Sequence, residues 1–239
     1  MLKVYILHYK PLIERKIFMD QQIEKQNING EYVFNKDKEE LDDYDKEIFD
    51  FKKVWNGRTL WLSNASLISK HIEAYQRIYD SKEPYSIILE DDVVLCDNYL
   101  EKAYNYIQQL PDNWDILFFG DGYKSSMHVP DRVIKNIGGN VFLKSLSGNG
   151  ISGRNENGWP ICGGASRCSD NYVISYDCVT KILEHVKKIR NKKESHITRP
   201  SDFWMNQIFK QLNFKIYWGE PTLSTQGTEN GMFKSAHSK

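Results

Sequence analysis

Three consecutive carboxylates, Glu90-Asp91-Asp92, end an apolar run in the first half of the chain. Residues 85–89 (YSIIL) are short, apolar and without helical period, which predicts a buried strand. Three adjacent negative charges repel one another, and a bound cation relieves that repulsion. A solvated turn is the alternative, because Asp is common in turns, but the chain is apolar again immediately afterwards. The acidic triplet therefore predicts a divalent-cation site.

Carboxylates at a strand end are ligands of the kind that Mg²⁺ and Mn²⁺ prefer. Both are hard cations that take oxygen ligands and leave positions open for phosphate oxygens. The sequence contains no GxxxxGK[ST] loop, no GxGxxG opening a helix and no GxSxG elbow. P-loop NTPases, Rossmann dehydrogenases and α/β-hydrolases are therefore disfavoured. The remaining candidate is an enzyme that holds a nucleotide diphosphate through acidic residues and a metal.

Apolar strands alternate with amphipathic helices, which predicts an α/β fold with a mostly parallel central sheet flanked by helices. At 239 residues the chain is most simply one domain, residues 1–239. Parallel sheets bind ligands outside the carboxyl ends of their strands, where both the acidic triplet and Gly120-Asp121-Gly122 should lie. The predicted strands cover residues 3–7, 85–89, 115–119, 172–176 and 214–218. The predicted helices cover about 12–25 and 202–212, with others starting near Ser63 or Asn64, at Asp97 and after residue 176.

Composition narrows the possible partners. Lys plus Arg and Asp plus Glu both number 32, so no global basic field favours nucleic acid or an anionic membrane. No segment approaches the roughly 18 apolar residues of a membrane span. The first residues lack the length and cleavage site of a signal peptide, and the four cysteines form no disulfide framework. We therefore expect a cytoplasmic protein.

Four patterns occur in order along nearly the whole chain. The first is the opening strand followed by a helix with Arg15. The second is a Ser-Leu-x-x-Lys-His-x-x-Ala-Tyr helix (66–75) leading into Ile-Leu-Glu-Asp-Asp-Val (88–93). Trp-Asp-Ile-Leu-Phe-Phe-Gly (114–120) is the third, and Tyr-Val-Ile-Ser (172–175) with Pro-Ser-Asp-Phe-Trp-Met-Asn (200–206) is the fourth. Through them the chain resembles glycosyltransferase family 25, which contains lipooligosaccharide and collagen hydroxylysine galactosyltransferases.

The resemblance implies a GT-A type nucleotide-diphospho-sugar transferase fold and a UDP-sugar donor, usually a UDP-hexose. It also implies Mn²⁺ (or Mg²⁺) as cofactor, a glycan or a hydroxylated protein as acceptor, and inversion at the anomeric carbon. Mapped onto this chain, Asp92 is the first choice of metal ligand. Glu90 or Asp91 would contact ribose, bind the metal through water or bond backbone amides, and His237 could reach the metal from the C-terminal tail.

The candidate donor contacts lie near the predicted sheet edge. The opening strand ends in Leu-His-Tyr-Lys (7–10) where the family usually has Asn-Leu-Asp, so this chain should hold the uridine differently. Gln226 and the turn after it could contact the diphosphate, and Lys234 is a possible cation for it. The candidate donor contacts are Leu7, His8, Tyr9, Arg15, Glu90, Asp91, Asp121, Gln226 and Lys234.

Inversion requires a base that takes the proton of the acceptor hydroxyl. Asp202 is the preferred candidate because it begins a predicted helix and matches an acid in the family's pattern, although a plain N-cap is the alternative. Asp170, just before a predicted strand, is the second candidate. Two other functions remain open at this stage: a nucleotidyltransferase, and an inactive carbohydrate- or nucleotide-binding module of the same fold.

Overall fold

The computed structural model describes residues 2–122, 133–144, 146, 151–154, 160–162 and 164–234. Its strands are β1 Val4–Leu7, β2 Gly30–Val33, β3 Tyr85–Glu90, β4 Val93–Leu95, β5 Ile116–Phe118, β6 Val133–Gly138, β7 Val141–Lys144, β8 Ile151–Arg154, β9 Pro160–Cys162, β10 Asn171–Ser175, β11 Ile216–Gly219 and β12 Ser224–Gln226. Its helices are α1 Ile13–Lys25, α2 Asp43–Lys46, α3 Leu62–Ser81, α4 Tyr99–Ile107, α5 Tyr176–Arg190 and α6 Ser201–Gln211.

The main sheet of the described residues has eight strands in the order β2-β1-β3-β10-β5-β11-β7-β6. β10 and β7 run opposite to the other six. Helices α3, α5 and α6 pack on one face of this sheet, and α1 and α4 pack on the other. The predicted fold class, a mostly parallel central sheet flanked by helices, is confirmed. No helix in the described part of the chain is long and apolar enough to cross a membrane.

Strand β3 is apolar without interruption because both of its faces are covered. Ile87 and Leu89 pack into the core layer that contains α1 and α4, and Ile88 packs into the layer that contains α3, α5 and α6. The strand pairs in parallel with β1 and antiparallel with β10. It ends at Glu90, so the acidic triplet emerges at the carboxyl edge of the sheet, as predicted.

The antiparallel strand β10 brings a further segment to the same edge. Asn171 at its start pairs with Leu89 at the end of β3. The backbone N–H of Glu90 donates to the carbonyl of Asp170 at 2.8 Å. Residues 169–170 precede a strand in the sequence, yet they lie beside the acidic triplet because that strand runs in the opposite direction.

Several local predictions were wrong. Helix α3 has Trp61 as its N-cap rather than Ser63 or Asn64, and α4 has Asn98 rather than Asp97. Helix α2, whose N-terminus carries a capping box, was not predicted, and the side chains of Ile48 and Phe49 after it are buried. The short strands β2, β4 and β12 were not predicted, because four- and three-residue segments carry little periodic signal.

Candidate functional site

Segments from distant parts of the sequence meet at the carboxyl edge of the sheet. Residues 90–92 follow β3, residues 120–121 follow β5, and the N–H of Asp121 donates to the carbonyl of Ser224 at 3.1 Å. Gly120 makes room for the Asp170 carboxylate, since a Cβ at residue 120 would lie 2.5 Å from its Oδ2. Asp121 and Asp170 are close enough for the charge of Asp121 to raise the pKa of Asp170. The edge therefore concentrates carboxylates, as the sequence predicted.

Both carboxylate oxygens of Asp91 are engaged in contacts within the protein. Its carboxylate contacts His8 Nδ1 at 2.8 Å, the backbone N–H of Tyr9 at 3.2 Å and Arg15 Nη1 at 2.8 Å. Burial alone would raise its pKa, but the hydrogen bonds from His8 and Arg15 and the charge of Arg15 hold the pKa of Asp91 below its usual value. Asp91 thus ties β1 and α1 to the acidic motif.

We expect Asp91→Asn to destabilise the fold by at most about 3–5 kcal/mol, because it removes the nearer counter-charge of the buried Arg15 guanidinium and leaves Asp92 Oδ2 at 3.5 Å. Urea-induced unfolding of the two proteins measures the difference. Asp97→Asn is the matched control, since the Asp97 side chain is 79% exposed and forms a solvent-exposed ion pair with Lys25, and it should leave the free energy of unfolding unchanged. An Asp91→Asn protein of normal stability that fails to bind UDP would instead make Asp91 a donor contact.

Asp92 and Asp170 are buried carboxylates with open coordination. Asp92 is 3% exposed; Thr228 Oγ1 donates to its Oδ2, while its Oδ1 has no hydrogen-bond partner among the described residues. Asp170 is fully buried, and neither of its oxygens has a hydrogen-bond partner there. Buried carboxylates without donors are costly, so these oxygens suit a cation.

The raised pKa values of the carboxyl groups at this edge also indicate a site that suits a cation. Burial, together with the charge of Asp92, raises the pKa of Asp170 to about 8. Burial also raises the pKa of Asp92, and burial and the charge of Asp92 raise the pKa of Glu90 well above its usual value. Among the described residues no group of three or more His, Cys, Asp or Glu side chains is arranged to hold a metal ion. A cation here would take its remaining ligands from water and substrate phosphate, as Mg²⁺ and Mn²⁺ commonly do.

Asp170→Asn should stabilise the protein at pH 8 in the presence of a chelator. The pKa of Asp170 is raised from 3.8 to about 8, so its stability contribution is fully present below pH 3.8 and is lost as the pH rises toward 8. Asn carries no charge, so the variant does not suffer this loss. Each unit of pKa shift corresponds to about 1.4 kcal/mol, and structural relaxation around the charge reduces the total, so the variant should be more stable by a few kcal/mol at pH 8. Thermal unfolding at pH 5 and pH 8 tests it. A destabilisation of equal size at both values would contradict the proposed buried charge.

A cavity of about 160 Å³ lies beside the acidic motif. Six of the predicted donor contacts are in its wall, but His8 is buried behind Asp91, and Asp121 and Lys234 are not part of it. Lys234 contributes its backbone carbonyl to Arg15, and His237 lies outside the described residues. The wall consists of Leu7, Tyr9, Leu12, Arg15, Lys38, Ser63, Ser66, Leu67, Lys70, Glu90, Asp91, Asp92, Gln226, Thr228 and Glu229.

Helix α3 contributes residues to the cavity wall that were not predicted from the sequence to belong to the site. Lys70 Nζ lies 2.7 Å from Asp37 Oδ1 and donates to the carbonyl of Asn35 at 2.8 Å. Ser66 Oγ donates to the carbonyl of Lys36 at 2.7 Å, so the segment before α2 is fastened to the helix. Ser66 and Lys70 lie one turn apart within the Ser-Leu-x-x-Lys-His pattern. That pattern was the available signal for this surface.

The C-terminal segment closes the cavity on the side of the acidic motif. The N–H of Gly227 donates to the carbonyl of Asp92 at 2.7 Å, and Arg15 Nη2 donates to Thr228 Oγ1 at 3.0 Å and to the carbonyl of Lys234 at 2.7 Å. Phe233 packs edge-on against Phe18 of α1. Residue 227 must be glycine, since a Cβ there would lie 2.9 Å from the Asp92 carbonyl.

Asp202 lies in the first turn of α6, whose N-cap is Pro200, so its side chain is not the N-cap. Burial raises the pKa of Asp202 to about 6, and its hydrogen bond with the backbone of Phe203 opposes the shift. The neighbouring Ser201 hydroxyl lies 2.9 Å from that of Ser169, which in turn donates to Glu90 at 2.6 Å. The structure thus joins the helix of Asp202 to the acidic motif.

A mixed α/β sheet with carboxylates and a cavity at its carboxyl edge is an architecture that places a ligand site at that edge. The sequence profile of glycosyltransferase family 25 (LPS biosynthesis protein) matches residues 1–205, and the chain belongs to this family. The predicted family is confirmed, and membership makes the protein a glycosyltransferase by class. No curated protein matches the sequence.

Two solved structures are similar in general fold. The inositol-1-phosphate CTP transferase from T. maritima is 9% identical with a TM-score of 0.44, and the match covers 98% of this chain and 92% of that one. Mouse xyloside xylosyltransferase 1, in its apo form, is 9% identical with a TM-score of 0.41, over 90% of this chain and 70% of that one. Similarity at this level concerns architecture alone.

Proposed function

We propose that the protein transfers a hexose from a UDP-sugar to an acceptor hydroxyl, with inversion and with Mn²⁺ or Mg²⁺ as cofactor. The observation that carries this proposal is the pair of buried carboxylates, Asp92 and Asp170, which have oxygens without a hydrogen-bond partner among the described residues. Asp92 is in the cavity wall, and Asp170 is close enough to Asp92 for the charge of Asp92 to raise its pKa. Family membership supports the sugar donor and the glycan acceptor. The UDP donor, the hexose and inversion are what the resemblance to the family implies, and the acidic motif is our reason for proposing the cation.

The residues present fit a hard divalent cation. Asp92 would bind it through the unpartnered Oδ1, and Asp170 or Glu90 would bind it directly or through water. His237 remains a candidate ligand from the resemblance alone. When bound, such a cation neutralises the charge that develops on a diphosphate leaving group. Asp91 would act indirectly, because its carboxylate is occupied by His8, Tyr9 and Arg15.

The rest of the cavity suits the nucleotide part of a donor. Leu7, Leu12 and Leu67 supply apolar surface, and Tyr9 supplies an aromatic ring. The first turns of α3 contribute Ser63 and Ser66, and the N-terminus of a 20-residue helix favours negatively charged groups. These features would place a diphosphate between α3 and the acidic motif.

The two candidate bases differ in a way that assigns their roles. With a pKa of about 6, Asp202 is mostly ionised at pH 7 and still basic enough to accept a proton from the acceptor hydroxyl. With a pKa of about 8, Asp170 is mostly protonated at pH 7 unless a cation displaces its proton. We therefore assign proton transfer to Asp202 and cation binding to Asp170.

A screen of UDP-hexoses for Mn²⁺-dependent release of UDP tests the proposed function. We expect one UDP-hexose to be consumed with Mn²⁺ and none with EDTA, and NMR of the released sugar gives the anomeric configuration. Binding of UDP without consumption of any UDP-sugar would favour an inactive module. Release of pyrophosphate from a nucleoside triphosphate and a sugar phosphate would favour a nucleotidyltransferase, which normally carries a basic, glycine-rich loop where this chain has HYKPL (8–12).

A further inference from the structure

Two buried hydroxyls connect the acidic motif to α6. Ser169 Oγ donates to Glu90 Oε1 at 2.6 Å, and Ser201 Oγ lies 2.9 Å from Ser169 Oγ. The two serines are 4% and 6% exposed, so water does not readily replace these bonds. A hydroxyl has one proton to donate. Since Ser169 gives its one proton to Glu90, Ser201 is the donor in the bond between the two serines.

A second contact fixes the same helix about one turn further on. Asn206 Oδ1 accepts from the N–H of Ser166 at 2.8 Å, and Asn206 Nδ2 donates to Ser166 Oγ at 2.6 Å and to the carbonyl of Asp202 at 3.0 Å. Gly164 lies directly against Asn206, since a Cβ at residue 164 would be 2.0 Å from its Oδ1. The loop before β10 is thus attached to α6 at two points.

Two attachments separated along a helix restrict both its rotation and its sliding. Apolar packing of Phe203, Trp204 and Ile208 buries the helix but is non-directional, so it sets the helix position less sharply than hydrogen bonds do. The contact through Ser201 is immediately next to Asp202, and the one through Asn206 includes the Asp202 carbonyl. The position of the Asp202 carboxylate relative to Glu90 therefore depends on these side chains.

We propose that Ser169 and Ser201 are positioning residues that hold Asp202 at a fixed place relative to the acidic motif and so align the acceptor side of the site with the donor side. The inference rests on the proposed role of Asp202 in proton transfer. Neither serine is in the wall of the donor cavity. Loss of either hydroxyl should therefore affect turnover more than donor binding.

Ser169→Ala tests the proposal, with Ser86→Ala as its matched control. Ser86 is a fully buried serine on the strand that ends at Glu90, and its hydroxyl has no hydrogen-bond partner among the described residues. The assay is UDP release from the UDP-hexose identified by the screen, with kcat and donor KM determined separately. We expect kcat to fall about 10- to 100-fold in Ser169→Ala with donor KM within about twofold, because misplacement of a reacting group by about 1 Å costs on this order. Ser86→Ala should leave both unchanged.

Further variants separate positioning from simple stabilisation. Ser169→Thr or Ser201→Thr, which keep the hydroxyl, should restore most of kcat. Ser201→Ala should resemble Ser169→Ala, and the double variant should be little worse than either single one because both act through one chain of bonds. The proposal is overturned if Ser169→Ala and Ser86→Ala behave alike. It is also overturned if kcat falls only in proportion to a lowered thermal midpoint, with no rescue by threonine.

A separate variant distinguishes failure of this inference from failure of the proposed function. If Asp202→Asn retains full turnover, the assignment of Asp202 as base is wrong and the positioning of its carboxylate has no catalytic meaning. If Asp202→Asn is inactive while Ser169→Ala and Ser201→Ala keep normal kcat, the assigned base stands and only the positioning role is refuted.

Discussion

Asp92→Asn should abolish Mn²⁺-dependent binding of UDP. Asp92 is the acid of the triplet that is both buried and open, with an Oδ1 that has no hydrogen-bond partner in the described part of the chain. An amide oxygen is uncharged and a much weaker ligand for a hard cation. Since loss of a group that merely supports a metal ligand costs roughly 10- to 100-fold, loss of the ligand itself should cost more.

Isothermal titration calorimetry with UDP in the presence of Mn²⁺ measures this effect. Asp97→Asn is a suitable control, because Asp97 is only five residues away and carries the same charge, yet its side chain is exposed. Circular dichroism verifies that the Asp92→Asn protein is folded. Normal UDP affinity in Asp92→Asn would contradict the assignment of Asp92 as a metal ligand.

Asp202→Asn should keep UDP binding and lose turnover. General-base catalysis contributes about 10²- to 10⁴-fold, so kcat should fall by a factor in this range. In the unaltered protein kcat should rise with pH through about 6, because Asp202 must be ionised to accept a proton and burial raises its pKa to about that value. This rise should be absent from the residual activity of the variant.

Asp177→Asn is the matched control for Asp202→Asn. Asp177 is the second residue of α5, as Asp202 is of α6, so both substitutions remove a favourable charge from the first turn of a helix. Asp177 is exposed and distant in sequence from the acidic motif, and kcat should be normal without it. Loss of both UDP binding and turnover in Asp202→Asn would move Asp202 into the group of cation ligands.

Much of the sheet edge could be predicted from local sequence. An apolar five-residue run that ends in carboxylates has few structural solutions, since a strand covered on both faces must release its polar residues where it ends. The same logic placed residues 120–121 beside the motif, because strands that share a direction end at one edge. This reasoning alone predicts the location of Glu90, Asp92 and Asp121 at the carboxyl edge of the sheet.

The role of Asp91 could not be predicted in the same way. Three adjacent carboxylates look equivalent in sequence, and only the tertiary contacts of His8 and Arg15 separate Asp91 from its neighbours. These partners lie 83 and 76 positions away along the chain. Its position at the carboxyl end of the first strand suggested a donor contact for His8, but the structure buries that ring against the carboxylate of Asp91.

The direction of β10 and the attachment of the loop before it to α6 could not be predicted from the sequence either. The run that forms β10 predicts a strand but not its orientation, and only the antiparallel orientation brings Asp170 next to Glu90. Ser169 and Ser201 carry no local signal at all, since isolated serines are common in loops and near helix starts. Their proposed positioning role depends on a contact between two segments separated by 32 positions in the sequence.

Binding of UDP to the unaltered protein, with Mn²⁺ and with EDTA, tests the central claim most directly. The oxygens of Asp92 and Asp170 that lack hydrogen-bond partners among the described residues should recruit the cation and the nucleotide together, so isothermal titration calorimetry should show binding with Mn²⁺ and none with EDTA. The same titration should fail for Asp92→Asn and succeed for Asp202→Asn. Absence of UDP binding by the unaltered protein in the presence of Mn²⁺ would contradict the proposed donor site.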